Sequence, residues 1–163
     1  MRASVALSCD DERVSLNLRP ATSGDDLVLA DLWRRAVEAT HDFLSPEDVD
    51  FYAGHIRDVY LPALKVTVAE FDGAVVGFVG TQEHRLEMLF VEPDAHGRGV
   101  GTALVEHVAA QHPVLELDVN EQNPAARGFY ASLGFEVVGR SPLDGEGRPF
   151  PLLHLRRSVN PSA

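Results

Sequence analysis

The chain has 163 residues, of which 25 are acidic and 14 are lysine or arginine, so its formal net charge at pH 7 is −11. This length suits one domain with a sizeable core, and the acidic balance argues against nucleic acid as a partner. The charge fits a cationic substrate such as an amine, although a solvated acidic surface explains it equally well. No apolar run approaches the roughly 20 residues of a membrane span. The single cysteine, Cys9, fits a cytoplasmic protein without internal disulfides.

The predicted elements alternate between strands and helices, which favours a single α/β domain around one sheet. Residues 1–12 show no clear period and are predicted to be a flexible leader before a single domain over 13–159. Ser23 with Asp26, and Ser45 with Asp48, stand in capping-box spacing at two helix starts. In chain order, the patterns predict a strand at 14–19, helices at 23–40 and from 45, a hairpin of strands 65–71 and 74–81, a strand at 86–91, a helix at 100–112, a strand at 114–119, a helix at 124–133, and strands at 135–139 and near 152–156.

The stretch 86–104 is the most informative part of the chain. A β-prone segment stops at Pro93, and a loop then carries Gly97, Gly99 and Gly101 directly before an apolar helical pattern. Such a loop is predicted to present backbone N–H groups and a helix N-terminus to a phosphate. The glycine spacing does not fit G-x-G-x-x-G, and the Walker sequence Gly-Lys-Ser/Thr is missing. An ordinary glycine-rich turn stays open for the loop taken alone.

A second motif covers residues 120–135. Asn123 is predicted to be a helix N-cap, with Pro124 at the first helical position, where a missing N–H costs nothing. Tyr130 follows seven residues after Asn123, and Gly134 is predicted to end the helix as its C′ residue.

Together, the two motifs resemble the GNAT superfamily of acetyltransferases, over roughly residues 14 to 157, and a bacterial branch of YjaB-like acetyltransferases most closely. The branch likeness is carried by the stretches 39–44, 119–123 and 149–155. The resemblance implies an α/β (mixed α+β) fold with a mostly antiparallel central sheet of about six to seven strands and flanking helices. It also implies an acetyl-CoA-dependent N-acetyltransferase, in which a primary amine of a small molecule or peptide attacks the thioester directly. A non-catalytic acyl-CoA-binding sensor is the alternative, against which Tyr130 argues because a binder needs no acid.

The resemblance also implies two catalytic residues. Tyr130 matches the family's acid, and its reference pKa of ~10 keeps the phenol protonated at pH 7. Glu87 lies where many relatives place a base. Strand alternation puts Glu87 on one face with Leu89 and Val91, where burial would raise the pKa of its carboxyl. A solvated carboxylate at the strand edge is the alternative for Glu87, and a core tyrosine is the alternative for Tyr130.

The binding residues follow in the same way from the resemblance. The amine is expected beside Thr40, His41, Phe43 and Glu87, and His41 is the alternative base, although a histidine also suits a helix C-terminus. His96 stands where relatives usually have Arg or Gln, which predicts weaker but retained cofactor binding. Arg127 is a further candidate for the same ligand. The expected cofactor-binding residues are Leu89, Phe90, Val91, His96, Gly97, Arg98, Gly99, Val100, Gly101, Thr102, Asn123, Ala126 and Tyr130.

The remaining expectations concern metals and partners. His107 and His112 are five residues apart and no cysteine cluster joins them, so no metal is predicted. The expected partner is a small-molecule or peptide amine, with no nucleic acid and no membrane. A cytoplasmic monomer or homodimer is expected.

Overall fold

The computed structural model describes residues 3–6 and 15–158, with side chains from residue 16 onward. Its strands are β1 Ala3–Ala6, β2 Ser15–Pro20, β3 Lys65–Phe71, β4 Ala74–Gln82, β5 Arg85–Val91, β6 Val114–Asn120, β7 Glu136–Ser141 and β8 Leu152–Ser158. They form one sheet in the order β1-β2-β3-β4-β5-β6-β8-β7, in which only β5 and β6 are parallel neighbours. The mostly antiparallel, mixed architecture is therefore confirmed.

Over the residues that the structure describes, the sheet has eight strands, compared with the prediction of about six to seven. The additional strand is β1, which pairs antiparallel with β2 from within the predicted leader. The leader prediction is therefore wrong for Ala3–Ala6, because an edge strand can form from a short segment that shows no period of its own. Residues 1–2 and 7–14, including Cys9, lie outside the described residues.

The helices cover both faces of the sheet. They are α1 Asp26–Thr40, α2 Pro46–His55, α3 Leu61–Ala63, α4 Val100–Ala109 and α5 Pro124–Ser132, and a π-helical segment, Ile56–Tyr60, joins α2 to α3. One apolar cluster packs α4 and α5 on one face, and a second cluster packs α1 and α2 on the other. Helix α4 ends earlier than predicted, because His112 precedes Pro113 and such a position disfavours helical backbone.

Capping groups fix where the first two helices begin. The predicted box of Ser45 and Asp48 is confirmed, since the Asp48 N–H donates to Ser45 Oγ at 3.1 Å and the Ser45 N–H donates to Asp48 Oδ2 at 3.0 Å. The box predicted for Ser23 and Asp26 is wrong by one residue. Here the carboxylate of Asp25 accepts from the Thr22 N–H at 2.8 Å, and a short 3₁₀ turn precedes α1.

The sheet opens between β5 and β6, and this opening positions the site. The two strands pair at a single register point, Arg85 with Glu116. Beyond it, β5 stays paired with β4 as far as Val91, and β6 stays paired with β8 as far as Asn120. The N–H and C=O groups of β5 on its β6 side therefore lack a strand partner and are available to a ligand.

Candidate active site

A cavity of about 580 Å³ fills the opening between β5 and β6, a volume typical of small-molecule sites. Its walls come from β5, the glycine loop, the end of β6, one side of α5 and the end of α1. The predicted cofactor-binding residues in these walls are Leu89, Phe90, Val91, His96, Gly97, Gly99, Val100, Gly101, Thr102, Asn123, Ala126 and Tyr130.

Two predicted arginines do not line the cavity. Arg98 is exposed, and its guanidinium carbon lies 4.5 Å from the centre of the Phe71 ring, so it stacks on the outer side of the loop. Arg127 donates from Nη1 to the Glu121 carbonyl at 3.1 Å. A phosphate contact by either arginine therefore stays a prediction that requires the side chain to move.

The three loop glycines are required for two different reasons. Gly97 and Gly99 have φ of +78° and +81°, the left-handed region that side chains other than glycine rarely adopt. At Gly101, a Cβ atom would lie only 3.1 Å from Cζ of Phe129, so glycine lets α4 approach α5 closely. Gly99 is the N-cap of α4, and the first residues of that helix, whose N–H groups have no intrahelical acceptors, line the cavity. This cradle fits a pyrophosphate.

His96 has a different role from the phosphate contact that its position suggests. Its Nε2 lies 3.1 Å from the carbonyl oxygen of Val91, so the ring donates a proton to the last residue of β5. The bond ties the glycine loop to the strand that forms the facing wall.

Both ends of α5 are held by local hydrogen bonds. Asn123 Oδ1 accepts from the Ala126 N–H at 3.1 Å, which confirms the predicted N-cap. At the other end, the N–H groups of Gly134 and Phe135 donate to the carbonyls of Ala131 and Tyr130, each at 3.1 Å. Gly134 has φ of +93°, so the helix ends in a Schellman motif, as predicted for a C′ glycine. The helix therefore presents Tyr130 from a rigid support.

Tyr130 lies in the cavity wall with its hydroxyl unengaged. The residue is 7% exposed, and burial raises the pKa of its phenol above the usual 10, so it is protonated at neutral pH. No described residue forms a hydrogen bond with this hydroxyl, yet no described side-chain oxygen is sealed off unsatisfied. The hydroxyl is thus accessible from the cavity and can donate to a ligand.

Glu87 lines the same cavity, but not in the apolar surroundings that strand alternation suggested. Leu86 and Met88 are buried at 3% and 5% exposure but pack in different apolar clusters, because the pairing of β5 with β4 shifts register at Glu87. Glu87 itself is exposed, and its Oε1 accepts from Arg85 Nε at 2.7 Å. Of the two alternatives left open for Glu87, the structure has the solvated carboxylate, at a register shift that interrupts the alternation of β5. The base role of Glu87 stays a prediction.

The end of α1 meets the start of α5 through His41. Asn123 Nδ2 lies 3.3 Å from His41 Nε2, and His41 Nδ1 lies 2.8 Å from Thr40 Oγ1, which donates its own proton to the Ala36 carbonyl at 2.7 Å. The Asn123 amide donates, since its oxygen already binds Ala126, so His41 carries its proton on Nδ1. Burial lowers the pKa of His41 to about 4, so the ring is neutral at pH 7. Thr40 and His41 line the cavity.

Phe43, the fourth predicted acceptor residue, lies behind His41 instead of in the wall. Its ring centre is 5.3 Å from that of His41 and 5.8 Å from that of Phe150, in the loop between β7 and β8. Phe43 therefore supports the ring of His41 from outside the cavity.

Asp118 is a cavity residue that sequence reasoning missed. Its Oδ1 lies 2.6 Å from His154 Nδ1, and its Oδ2 accepts from Arg85 Nη2 at 3.0 Å. In β6, Leu115, Leu117 and Val119 are buried and alternate with polar residues that include Asp118. That alternation was the available signal that Asp118 projects from the polar face.

Comparison with known proteins identifies the family. The acetyltransferase (GNAT) domain matches residues 62–137. The peptidyl-lysine N-acetyltransferase YjaB of Escherichia coli K12 is 43% identical over 147 residues, which cover 87% of this chain and 95% of that protein. The YjaB protein of Salmonella typhimurium is 40% identical over 144 residues, covering 86% of this chain and 97% of the relative. The chain belongs to the GNAT family of acetyltransferases. The solution structure of apo YjaB from Escherichia coli matches this GNAT chain with a TM-score of 0.82 at 39% identity, covering 89% of it and 99% of the YjaB chain.

Membership in the GNAT family establishes the reaction class. The protein is an N-acetyltransferase that takes its acetyl group from acetyl-CoA. The glycine loop, the N-terminus of α4 and the unpaired edge of β5 are the groups that would hold the pyrophosphate and the amide-containing arm of this co-substrate. Within residues 3–6 and 15–158, no cluster of three or more metal-binding side chains was found, and no helix is long and apolar enough to cross a bilayer.

Proposed function

We propose that this enzyme acetylates the ε-amino group of lysine in peptides or proteins. The observation that carries the proposal is the continuity of the cavity, which runs from the glycine loop past Tyr130 to Glu87, Asp118 and His41. Glu87 is exposed at that end, so a long, thin side chain can reach the thioester while the rest of a large acceptor stays outside. The two YjaB relatives, named as peptidyl-lysine acetyltransferases, support the same acceptor class.

The proposed mechanism is direct transfer. The neutral amine attacks the thioester carbonyl, the C–S bond breaks, and the departing thiolate takes the proton of the Tyr130 hydroxyl. The proton of the incoming ammonium goes to the Glu87 carboxylate, directly or through one water molecule.

His41 is the weaker candidate for the base, because its Nε2 lone pair already binds the Asn123 amide and its Nδ1 carries the proton that faces Thr40 Oγ1. We assign to His41, together with Thr40, the role of an uncharged wall residue that limits the space for the acceptor amine.

The acceptor is tested by thiol release with a peptide that carries one lysine and a blocked N-terminus. Mass spectrometry should show one added acetyl group on the lysine, and the same peptide with acetyl-lysine should release no thiol. A higher kcat/KM for small amines or free N-termini than for the lysine peptide would contradict the proposal.

The base is tested by the pH profile of Glu87→Gln. A base must be deprotonated to act, so kcat/KM of the wild type should rise with pH, and the variant should lose the low-pH limb while its Kd for acetyl-CoA stays unchanged. Glu136→Gln, an exposed carboxylate in β7 outside the cavity, is the matched control. An unchanged profile in Glu87→Gln would mean that the base lies elsewhere, with His41 next to be tested.

Three sequence-based expectations belong to this proposal and stay predictions. They are a cytoplasmic location, the lack of nucleic-acid or membrane partners, and a monomeric or homodimeric state. The formal net charge of −11 supports a cationic acceptor over nucleic acid.

A further inference from the structure

A chain of side chains joins the four strands on both sides of the opening. Ser141 Oγ in β7 lies 2.7 Å from His154 Nε2 in β8, and His154 Nδ1 lies 2.6 Å from Asp118 Oδ1 in β6. Arg85 in β5 then donates from Nη2 to Asp118 Oδ2 at 3.0 Å and from Nε to Glu87 Oε1 at 2.7 Å. The chain ends at the carboxylate that the proposed mechanism uses.

Three of the four hydrogen bonds in this chain have one possible donor, and the fourth is assigned for the neutral form of His154. An ionised Asp118 can only accept, so His154 carries a proton on Nδ1, and in the neutral ring Nε2 accepts from the Ser141 hydroxyl. Arg85 can only donate, and it does so with two different nitrogens. Both oxygens of Asp118 are therefore engaged, and the guanidinium of Arg85 is held between two carboxylates.

The backbone alone does not set the position of Glu87 relative to β6. The two strands pair only at Arg85 and Glu116, so Glu87 lies beyond the last backbone connection across the opening. The side chain of Arg85 is 40% exposed, and a single exposed ion pair would hold it weakly. A hydrogen-bonded network, in which each side chain is fixed by its neighbour, holds the side chain of Arg85 more firmly than a single ion pair.

We propose that His154 is a positioning residue for acetyl transfer, which fixes the Glu87 carboxylate at the cavity wall through Asp118 and Arg85. This inference rests on the proposed function of Glu87 as the base. His154 is not among the residues that line the cavity, so it acts on the reaction through Asp118 and not by contact with the substrate.

The test compares two substitutions at one position. His154→Leu removes the donor to Asp118, whereas His154→Asn keeps an N–H group of similar reach. His154→Leu should lower kcat for the lysine peptide about ten- to a hundredfold, the effect of one hydrogen bond to a charged group, with the Kd for acetyl-CoA unchanged. His154→Asn should retain most of the rate.

A matched control lies on the same sheet. His84 Nε2 is 2.6 Å from Glu116 Oε1, so it is another histidine–carboxylate pair at β6, but no side-chain hydrogen bond among the described residues links this pair to Glu87. His84→Leu should leave kcat at the wild-type value. If His84→Leu lowers kcat as much as His154→Leu does, the inference is overturned. The loss would then follow from removing any histidine–carboxylate pair on this sheet.

The decisive measurement is a double-mutant cycle. If His154 acts through Glu87, then adding His154→Leu to Glu87→Gln should cause no further loss of kcat. An additive loss, a folded His154→Leu enzyme with wild-type kcat, or equal loss in His154→Asn would each overturn the inference. Should His154→Leu fail to fold, Asp118→Asn gives the same cycle. An error in the proposed acceptor would be distinguishable, because the wild-type enzyme would then acetylate another amine and not the lysine peptide. The double-mutant cycle would in that case be measured with the other amine.

Discussion

Replacing Tyr130 by Phe separates catalysis from stability in this enzyme. The substitution removes a hydroxyl that forms no hydrogen bond with any described residue, so no partner is left unsatisfied. The ring contacts remain, with centres 5.1 Å from Phe129 and 5.5 Å from Phe135. The free energy of unfolding at pH 7 should therefore change by less than about 0.5 kcal/mol.

The effect on the reaction should be far larger. Loss of a positioned acid typically costs about 10²–10⁴ in rate, which corresponds to roughly 2.7–5.4 kcal/mol in the barrier. Thiol release at saturating acetyl-CoA and lysine peptide measures kcat, calorimetry measures the Kd for acetyl-CoA, and urea unfolding measures stability. Tyr52→Phe is the matched control: it breaks a hydrogen bond to Asp144, so it should lower stability by about 1 kcal/mol and leave most of kcat.

The pH dependence of stability gives a second test of the environment of Tyr130. Burial raises the pKa of Tyr130 above the 10 of an unfolded tyrosine, so its contribution to stability is complete below pH 10 and is lost as the pH rises further. Tyr130→Phe should therefore unfold less readily than the wild type above pH 10. If single-turnover measurements show that chemistry limits the rate and kcat is still unaltered in Tyr130→Phe, then the tyrosine is structural and another group supplies the proton.

Three further results are expected. Gly99→Asp puts a side chain and a negative charge at a left-handed position (φ +81°) in the phosphate cradle. Calorimetry should show strongly weakened binding of acetyl-CoA to this variant. An unchanged Kd in the folded variant would disprove the placement of the pyrophosphate. Burial lowers the pKa of His41 to about 4, so the stability that its neutral form contributes is present above pH 6.5 and is lost as the pH falls. Between pH 7 and pH 5, the free energy of unfolding of the wild type should fall by about 2 kcal/mol more than that of His41→Gln. The same pH dependence of unfolding in both proteins would refute the burial argument. Treatment with EDTA should leave the rate of thiol release unchanged, since no metal is expected. A loss of rate that a divalent cation restores would show that the enzyme needs a metal ion.

Local chemistry explains what the sequence predicted well. The Asp72-Gly73 turn has φ of +51° and +83°, as a two-residue hairpin requires. The N-cap of Asn123 and the C′ glycine at Gly134 likewise depend on residues within one or two turns of the chain. The same holds for the glycine loop, whose conformation and helix start follow from neighbouring residues.

The parts that sequence reasoning missed depend on distant segments. Asp118 meets its partner His154 through the register of β6 on β8, and Glu87 is exposed where β5 shifts its register against β4. His41 meets Asn123 across 82 positions of sequence. No periodicity within a single segment contains these relations, so alternation along β5 could not predict the register shift that interrupts it at Glu87.

The single register point between β5 and β6 has a consequence for how the protein opens. Among the described residues, Arg85 and Glu116 form the single register pair between a five-stranded part, β1 to β5, and a three-stranded part, β6 to β8. These two parts can act as separate cooperative units in amide hydrogen exchange. A ligand that touches both walls then stabilises their association, by about 2.7 kcal/mol at a concentration one hundred times its Kd. Acetyl-CoA would in this way serve as a structural bridge between the two halves of the sheet before it serves as a reactant.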